Sequence, residues 1–427
     1  MSSPPEFAPA HVNAWYMARQ HLTAPYTPPH PPPDAPPEPA RSWLTSLVCE
    51  VGWLHSPADP TAYLSVWARR PGYDRSELDR TVFEQRELVE VNAVRGLPML
   101  VPREHVPLAL RVAPPLATHA LQRAQELVGF SWDEIERLQR AMMRLLERDP
   151  LDTRMLRNRL RAGLIRPYGE AGAKLGTGDS FSDALTQLVE KGQVFKVKAT
   201  SRLDTTSCIY VPKRDFAYDL DLHSLREDEA WAMLAALYFE WHSPARFEDF
   251  VWWSDAPVGK ARAALARIRP PLRALALRGL PGEYLATEWA AYAIAAFEPP
   301  PEPAVAFLPS RDPFFSFREV TGRFVPPELR LRVIPRWKGE PAAEPMIVAP
   351  ILARGMITGV WEWSPEKKAV DWMLFEPVPR WLRARARSLA EQLTEFIRQE
   401  QLTTLPTQFD HPHMTYRIRD LAKLSPR

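Results

Sequence analysis

The stretch Gly52 to Leu64, Gly-Trp-Leu-His-Ser-Pro-Ala-Asp-Pro-Thr-Ala-Tyr-Leu, holds the side chains best placed for chemistry. His55 has an imidazole that titrates near neutrality, so its neutral form can hold a water and accept its proton. Asp59 lies four residues later, just before Pro60, where a helix is expected to start. Its carboxylate either caps the amides of Thr61 to Tyr63, the common use of Asp there, or acts on water beside His55. Pro57 contributes neither donor nor acceptor. His55 therefore reads either as a catalytic group or as a structural residue of a channel wall.

Other chemistries are poorly supplied. Two cysteines, Cys49 and Cys208, rule out a disulfide framework and an all-cysteine metal site, and they read as reduced buried thiols. The ten histidines are scattered with no His-Glu-x-x-His set, and there is neither a Walker loop nor a Gly-x-Gly-x-x-Gly sequence. No metal and no cofactor are expected. With 427 residues, 45% hydrophobic and 25% charged, the chain is long enough for three or four modules. No run of about eighteen apolar residues occurs and the N-terminus lacks signal-peptide character, so a cytoplasmic, nucleoid-associated protein is expected. No long amphipathic seam demands a partner, which favours a monomer. The net charge of +2 still leaves room for local basic stripes that bind phosphates.

The elements around the Gly52 to Leu64 stretch fall into a repeated pattern. A helix over 10 to 22 precedes a proline tract, Pro25 to Pro39, that suits polyproline II or a spacer. Helices are expected over Trp43 to Leu54, Thr61 to Arg70 and Ser76 to Glu87, then two apolar runs, Leu88 to Val94 and Leu97 to Val101. Helices followed by a short antiparallel pair are the pattern of a winged helix. Arg69-Arg70 ends one helix, where cations either complement the dipole or meet phosphate. A second such unit has helical periodicity from Leu116 to Arg161, a recognition helix Phe181 to Glu190, and strands Gln193 to Lys198 and Ser207 to Pro212. Its wing carries Lys196, Lys198 and Arg202. The third is a helix-turn-helix: Glu227 to Trp241, Phe247 to Trp253, then Val258 to Ile268 with Lys260, Arg262 and Arg267. Trp252 and Trp253 read as core aromatics beside Phe247 and Phe250.

After a proline-rich joint, Glu298 to Pro303, strands are expected at 304–308, 329–333, 346–352, 357–363 and 369–375, with Arg354-Gly355 as a tight turn, then a helix over 380 to 401 and a loose tail.

Several segments, in order, resemble the AlkZ/YcaQ-type winged-helix DNA glycosylases. They are Trp15, Arg19, Gln20 and Leu22; the wing Val94 to Pro102; Ser243-Pro244 with Asp249, Phe250 and Trp253; Leu308, Pro309, Asp312 and Pro313 followed by Arg318 and Arg323; and Gly355, Gly359 and Trp361. The resemblance implies an α+β, mainly α fold of three tandem winged-helix units with a C-terminal small β-barrel around a DNA channel. The units would span 1–115 (with a proline-rich insertion, 24–40), 116–222, 223–297 and 298–427.

Such enzymes hydrolyse the glycosidic bond of alkylated purines, and the Gly52 to Leu64 stretch resembles their Gln-x-Gln segment. His55 and Pro57 occupy the two glutamine positions, and Leu97 and Met99 stand where the wing usually has Thr and His. Three polar positions have become apolar, which points to lost or altered catalysis. The partner implied is double-stranded DNA, alkylated or crosslinked, contacted by the wing and recognition-helix cations and by Arg318, Arg323 and Arg354, since the family's barrel hairpin faces DNA. Two functions remain open: a DNA-repair glycosylase using His55 with Asp59, or a non-catalytic DNA-binding protein for damage recognition or transcriptional regulation.

Overall fold

The computed structural model describes residues 4–28, 41–222, 224–315, 318, 320–329, 349–375 and 377–402. Most of the proline tract, most of the strand expected at 329–333, part of that at 346–352 and the tail lie outside them.

The chain opens with β1 (Glu6–Phe7) and α1 (Pro9–Arg19), where Pro9 suits the first helical turn. Residues 6 and 7 pair in parallel with Ala276 and Leu277, so this arm belongs to a sheet formed far along the chain. Helix α2 (Trp43–Val51) starts at Ser42, whose hydroxyl accepts the Thr45 amide, and stops at Gly52, whose φ of 101° ends the helix. The apolar run predicts a helix through Leu54; instead Gly52 turns the chain into a two-residue strand, β2 (Leu54–His55). Helices α3 (Thr61–Arg69) and α4 (Arg75–Asp79) follow, then β3 (Leu88–Asn92) and β4 (Pro98–Pro102). The sheet order is β2-β4-β3, all antiparallel, with His55 opposite Met99.

Next come α5 (Val106–Val112), α6 (Leu116–Val128), α7 (Trp132–Leu146), α8 (Thr153–Arg159), α9 (Ala171–Leu175) and α10 (Ser180–Glu190). The helical periodicity of 116–161 is thus divided: Gly129 ends α6 in a left-handed conformation, and a Ser131–Glu134 capping box restarts the chain. The hairpin of β5 (Val194–Lys198) and β6 (Cys208–Pro212) and the short α11 (Lys213–Phe216) complete this region.

Helices α12 (Glu227–His242), α13 (Phe247–Ser254) and α14 (Val258–Ala266) lead into β7 (Arg273–Leu277) and β8 (Tyr284–Ala286), then α15 (Glu288–Ala296). The sheet order here is β1-β7-β8. Last, β9 (Val305–Phe307), β10 (Pro350–Ala353), β11 (Met356–Ser364) and β12 (Ala369–Leu374) form a curled antiparallel sheet, ordered β12-β11-β10-β9. Helix α16 (Arg380–Gln399) packs against both edge strands, β9 and β12. The sheet expected to close is, over the described residues, a half-barrel with this helix across its edges.

The protein is of mixed α/β class, and its cores are shared between regions. One joins α2 and α3 with the half-barrel and α16; another joins β3, β4 and α5 with α12 to α14. Only the cluster of α6, α7 and α10 is built from a single stretch of chain. Shared apolar burial of this kind fixes the relative placement of the regions, because separating them would return that surface to water.

Candidate active site

His55 is 2% exposed, held in β2 against Met99 of β4. Burial, followed by the nearby positive charge of Arg311, drives its imidazole down to about 3. The ring is neutral at physiological pH, and so weak a base takes a proton from water poorly. Asp59 accepts the Thr61 amide through Oδ1 at 2.7 Å, satisfying an otherwise open donor at the start of α3. Its charge also supports that of Arg311, whose guanidinium burial pulls below its usual range. His55, Arg311 and Asp59 therefore share one electrostatic neighbourhood. Arg311 has no motif of its own in the sequence, although it sits inside the Leu308-to-Pro313 segment that carries the resemblance.

The other side of the same stretch faces open space. Ser56, Pro57 and Ala58 line a cavity of 380 Å³ together with β3, β5 and the C-terminal end of α10. Successive residues of an extended chain point to opposite sides, so Ser56 lines the cavity and His55 does not, although both are buried. Ala58 adopts a φ of 63°, which only a turn forced by its surroundings gives an alanine. Within the cavity Ser56 Oγ donates to Glu90 Oε2 at 2.5 Å, and Lys198 Nζ lies 3.4 Å from Glu90 Oε1. Lys196 and Tyr210 also line it. Glu190 reaches in from α10, but its Oε2 accepts the Ala117 amide at 2.7 Å and so starts α6. The volume falls in the range of small-ligand sites, roughly 300–1,000 Å³. Glu90 is the carboxylate that the residue pattern around His55 does not reveal; on sequence it is one residue of an apolar strand.

The expected DNA-contacting cations separate into two sets. Lys196, Lys260, Arg262, Arg267 and Arg354 are exposed. Lys260 pairs with Glu227 and Arg267 with Asp228, while Arg262 lies 5.2 Å over the Phe247 ring. The second set points inward. Lys198 is 5% exposed and belongs to the Glu90 pair. Arg202 binds Asp204 through two bonds of 2.8 and 2.7 Å and donates to the Gln401 carbonyl at 3.0 Å. Arg318 donates to the His242 carbonyl at 3.0 Å, and Arg323 to the Pro244 carbonyl at 2.8 Å and Asn13 Oδ1 at 3.0 Å. Both are buried among aromatic rings, and burial with the like charge of Arg318 lowers Arg323 to about 10.

Arg69 is fully buried against Asp312. Trp253 is core, as its spacing suggests, and Leu97 and Met99 pack in the same cluster. The thiol of the half-buried Cys49 is pushed up to about 11 by burial. Among the described residues no group of three potential metal ligands gathers, and no helix is long and apolar enough to cross a membrane.

The model of the family described as DNA glycosylase AlkZ-like matches residues 48–398. The chain belongs to this family. No curated protein sequence matches it. Among solved structures it is similar to the Streptomyces sahachiroi DNA glycosylase AlkZ, with a TM-score of 0.67 over 94% of this chain and 99% of that one at 18% identity. At that identity the likeness speaks for the fold. Membership of the AlkZ-like family makes this a protein of a DNA-repair glycosylase family, and DNA binding is implied with it.

Proposed function

We propose that the protein binds duplex DNA as a repair factor that recognises alkylated bases, with His55 serving the fold instead of holding water. The observation that carries this reading is the burial of His55, at 2% exposure, together with its lowered basicity. Pro57, which does face the cavity, has no polar atom to offer. The repeated order of helices followed by short antiparallel strands supports three tandem winged-helix units, 1–115, 116–222 and 223–297, with the barrel-like unit 298–427 beyond them. DNA then lies across Lys196, Lys260, Arg262, Arg267 and Arg354, the exposed set.

A second reading, hydrolysis of the glycosidic bond of an alkylated purine, is favoured by one feature: the carboxylate of Glu90 in the cavity beside Ser56 to Ala58. A fixed carboxylate can position water under the sugar carbon and stabilise positive charge developing there, while a cationic base is already a good leaving group. Incubation with duplex DNA containing an N7-alkylated purine separates the two. Binding with no abasic product is the expected result. Abasic sites formed by the parent and by His55→Ala but lost in Glu90→Gln would establish the second reading, and loss in a His55→Ala variant that melts like the parent, with Glu90→Gln still active, would overturn the purely structural role of His55.

A further inference from the structure

The first turns of α16 carry Arg380, Arg383, Arg385 and Arg387, all exposed, and its first acidic residue is Glu391. This is the wrong end of a helix for cations. The N-terminal end carries the positive pole of the macrodipole, which favours carboxylates and disfavours guanidiniums. No acidic residue occupies the first turn to offset it. A second element adds to the same charge: Arg354, at the tip of the β10–β11 hairpin with a φ of 52°, lies 5.8 Å over the ring of Trp381, itself 38% exposed. Among the described residues, Arg354, Arg380, Arg385 and Arg387 have no carboxylate partner. In contrast, Lys260 on α14 and Arg267 just past its end are each paired with an acidic residue of α12.

We propose that the first turns of α16, with Arg354 and Trp381, form a contact surface for the phosphodiester backbone of duplex DNA. The helix dipole opposes Arg380 and Arg383 in the first turn, Arg385 and Arg387 add like charge in the second, and the phosphates of DNA supply closely spaced anions to meet them. Arginine suits such a contact because its planar fork binds phosphate through two hydrogen bonds. Trp381 holds Arg354 on the flank that also carries Arg385, four residues on, whereas Arg380 and Arg387, seven apart, stand on the opposite flank, so the surface wraps round the solvent side of the helix. This inference rests on the DNA-binding reading above, and it adds a helix that lies outside the winged-helix units.

The test uses the full chain, a fluorescein-labelled duplex and anisotropy titrations over a series of NaCl concentrations. The variant R380Q/R385Q/R387Q is compared with the parent and with R380K/R385K/R387K. Each phosphate that the protein no longer neutralises lowers the slope of log K against log salt by about 0.9, so the Gln variant should lose roughly 2 to 3 units of slope. The Lys variant should keep most of it. Thermal melting of the Gln variant should be unchanged or raised, since Arg380 leaves the positive helix end and like charge along the helix is reduced. A parent that binds, with a Gln variant of equal slope and affinity, overturns this surface alone. A parent with no salt-dependent binding overturns the DNA-binding reading and this surface with it.

Discussion

Arg69 on α3 and Asp312, ahead of the half-barrel strand β10, form a bidentate ion pair with both side chains fully buried, at 2.7 and 2.9 Å. Arg69 also donates to Gln20 Oε1 at 3.2 Å, and Gln20 in turn donates to the Trp241 carbonyl at 2.9 Å. One buried polar chain thus links the end of α1, α3, α12 and the segment between β9 and β10. Removing one partner leaves a charge without compensation in the interior. Asp312→Ala is expected to destabilise the fold by about 3–5 kcal/mol, and the paired change R69M/D312L by clearly less. Urea unfolding of the two variants checks this; equal losses would deny the pair its special cost.

Acid should weaken the fold through its buried histidines. His55 is lowered to about 3 by burial and then by Arg311, and His242 is lowered well below its usual value by burial and then by Arg318. The unfolded chain binds protons at these rings from about pH 6.5 downward while the folded chain does not, so stability falls with falling pH across that window. For His55 the loss runs from about pH 6.5 to about pH 3, at roughly 1 kcal/mol per pH unit. Urea midpoints measured against pH should show a shallower fall in His55→Gln. A full slope in that variant would mean that the ring protonates in the folded state.

Asp59 is separable from catalysis by its capping bond. Asp59→Ala should cost about 0.5–2 kcal/mol, and Asp59→Ser should recover most of it, with DNA affinity unchanged in both. Circular-dichroism melts and DNA titrations give the two readouts. A variant as stable as the parent but deficient in processing alkylated DNA would place Asp59 at the substrate instead.

The hairpin tip has no room for a side chain at Gly355. Its φ is 74°, and a Cβ there would stand 2.3 Å from the Asn13 carbonyl oxygen on α1. Gly355→Ala should therefore shift the tip, lowering the melting temperature and weakening DNA binding through Arg354. Full affinity in this variant would show that the position of the tip is immaterial to binding.

Local signals in the sequence place the helices and hairpins well, because caps and turns act over a few residues. Gly129 and Ser131 divide one long periodic stretch, and Arg354-Gly355 makes the turn that its residue types suggest. What escapes is long-range. That Arg318 and Arg323 turn inward follows from carbonyls of residues 242 and 244 and from Asn13, none of them near in sequence. Glu90 is visible as a functional group only once β3 stands beside Ser56 and Lys198. The burial of His55 depends on Gly52 cutting a helix short, which an apolar run through Leu54 conceals.

In the otherwise largely exposed loop between β5 and β6, Leu203 and Asp204 are buried. Leu203 is fully buried in the core shared by α2, α3 and the half-barrel, its amide donates to Tyr63 Oη at 2.7 Å, and the neighbouring Arg202 is bound to the end of α16. A hairpin tip otherwise free to swing is thereby a latch, and the cavity by Glu90 has walls of set separation. Under the hydrolysis reading proposed above, a cavity with set walls predicts binding without a closing step. The association rate should then rise linearly with DNA concentration, with no plateau to mark a slow rearrangement.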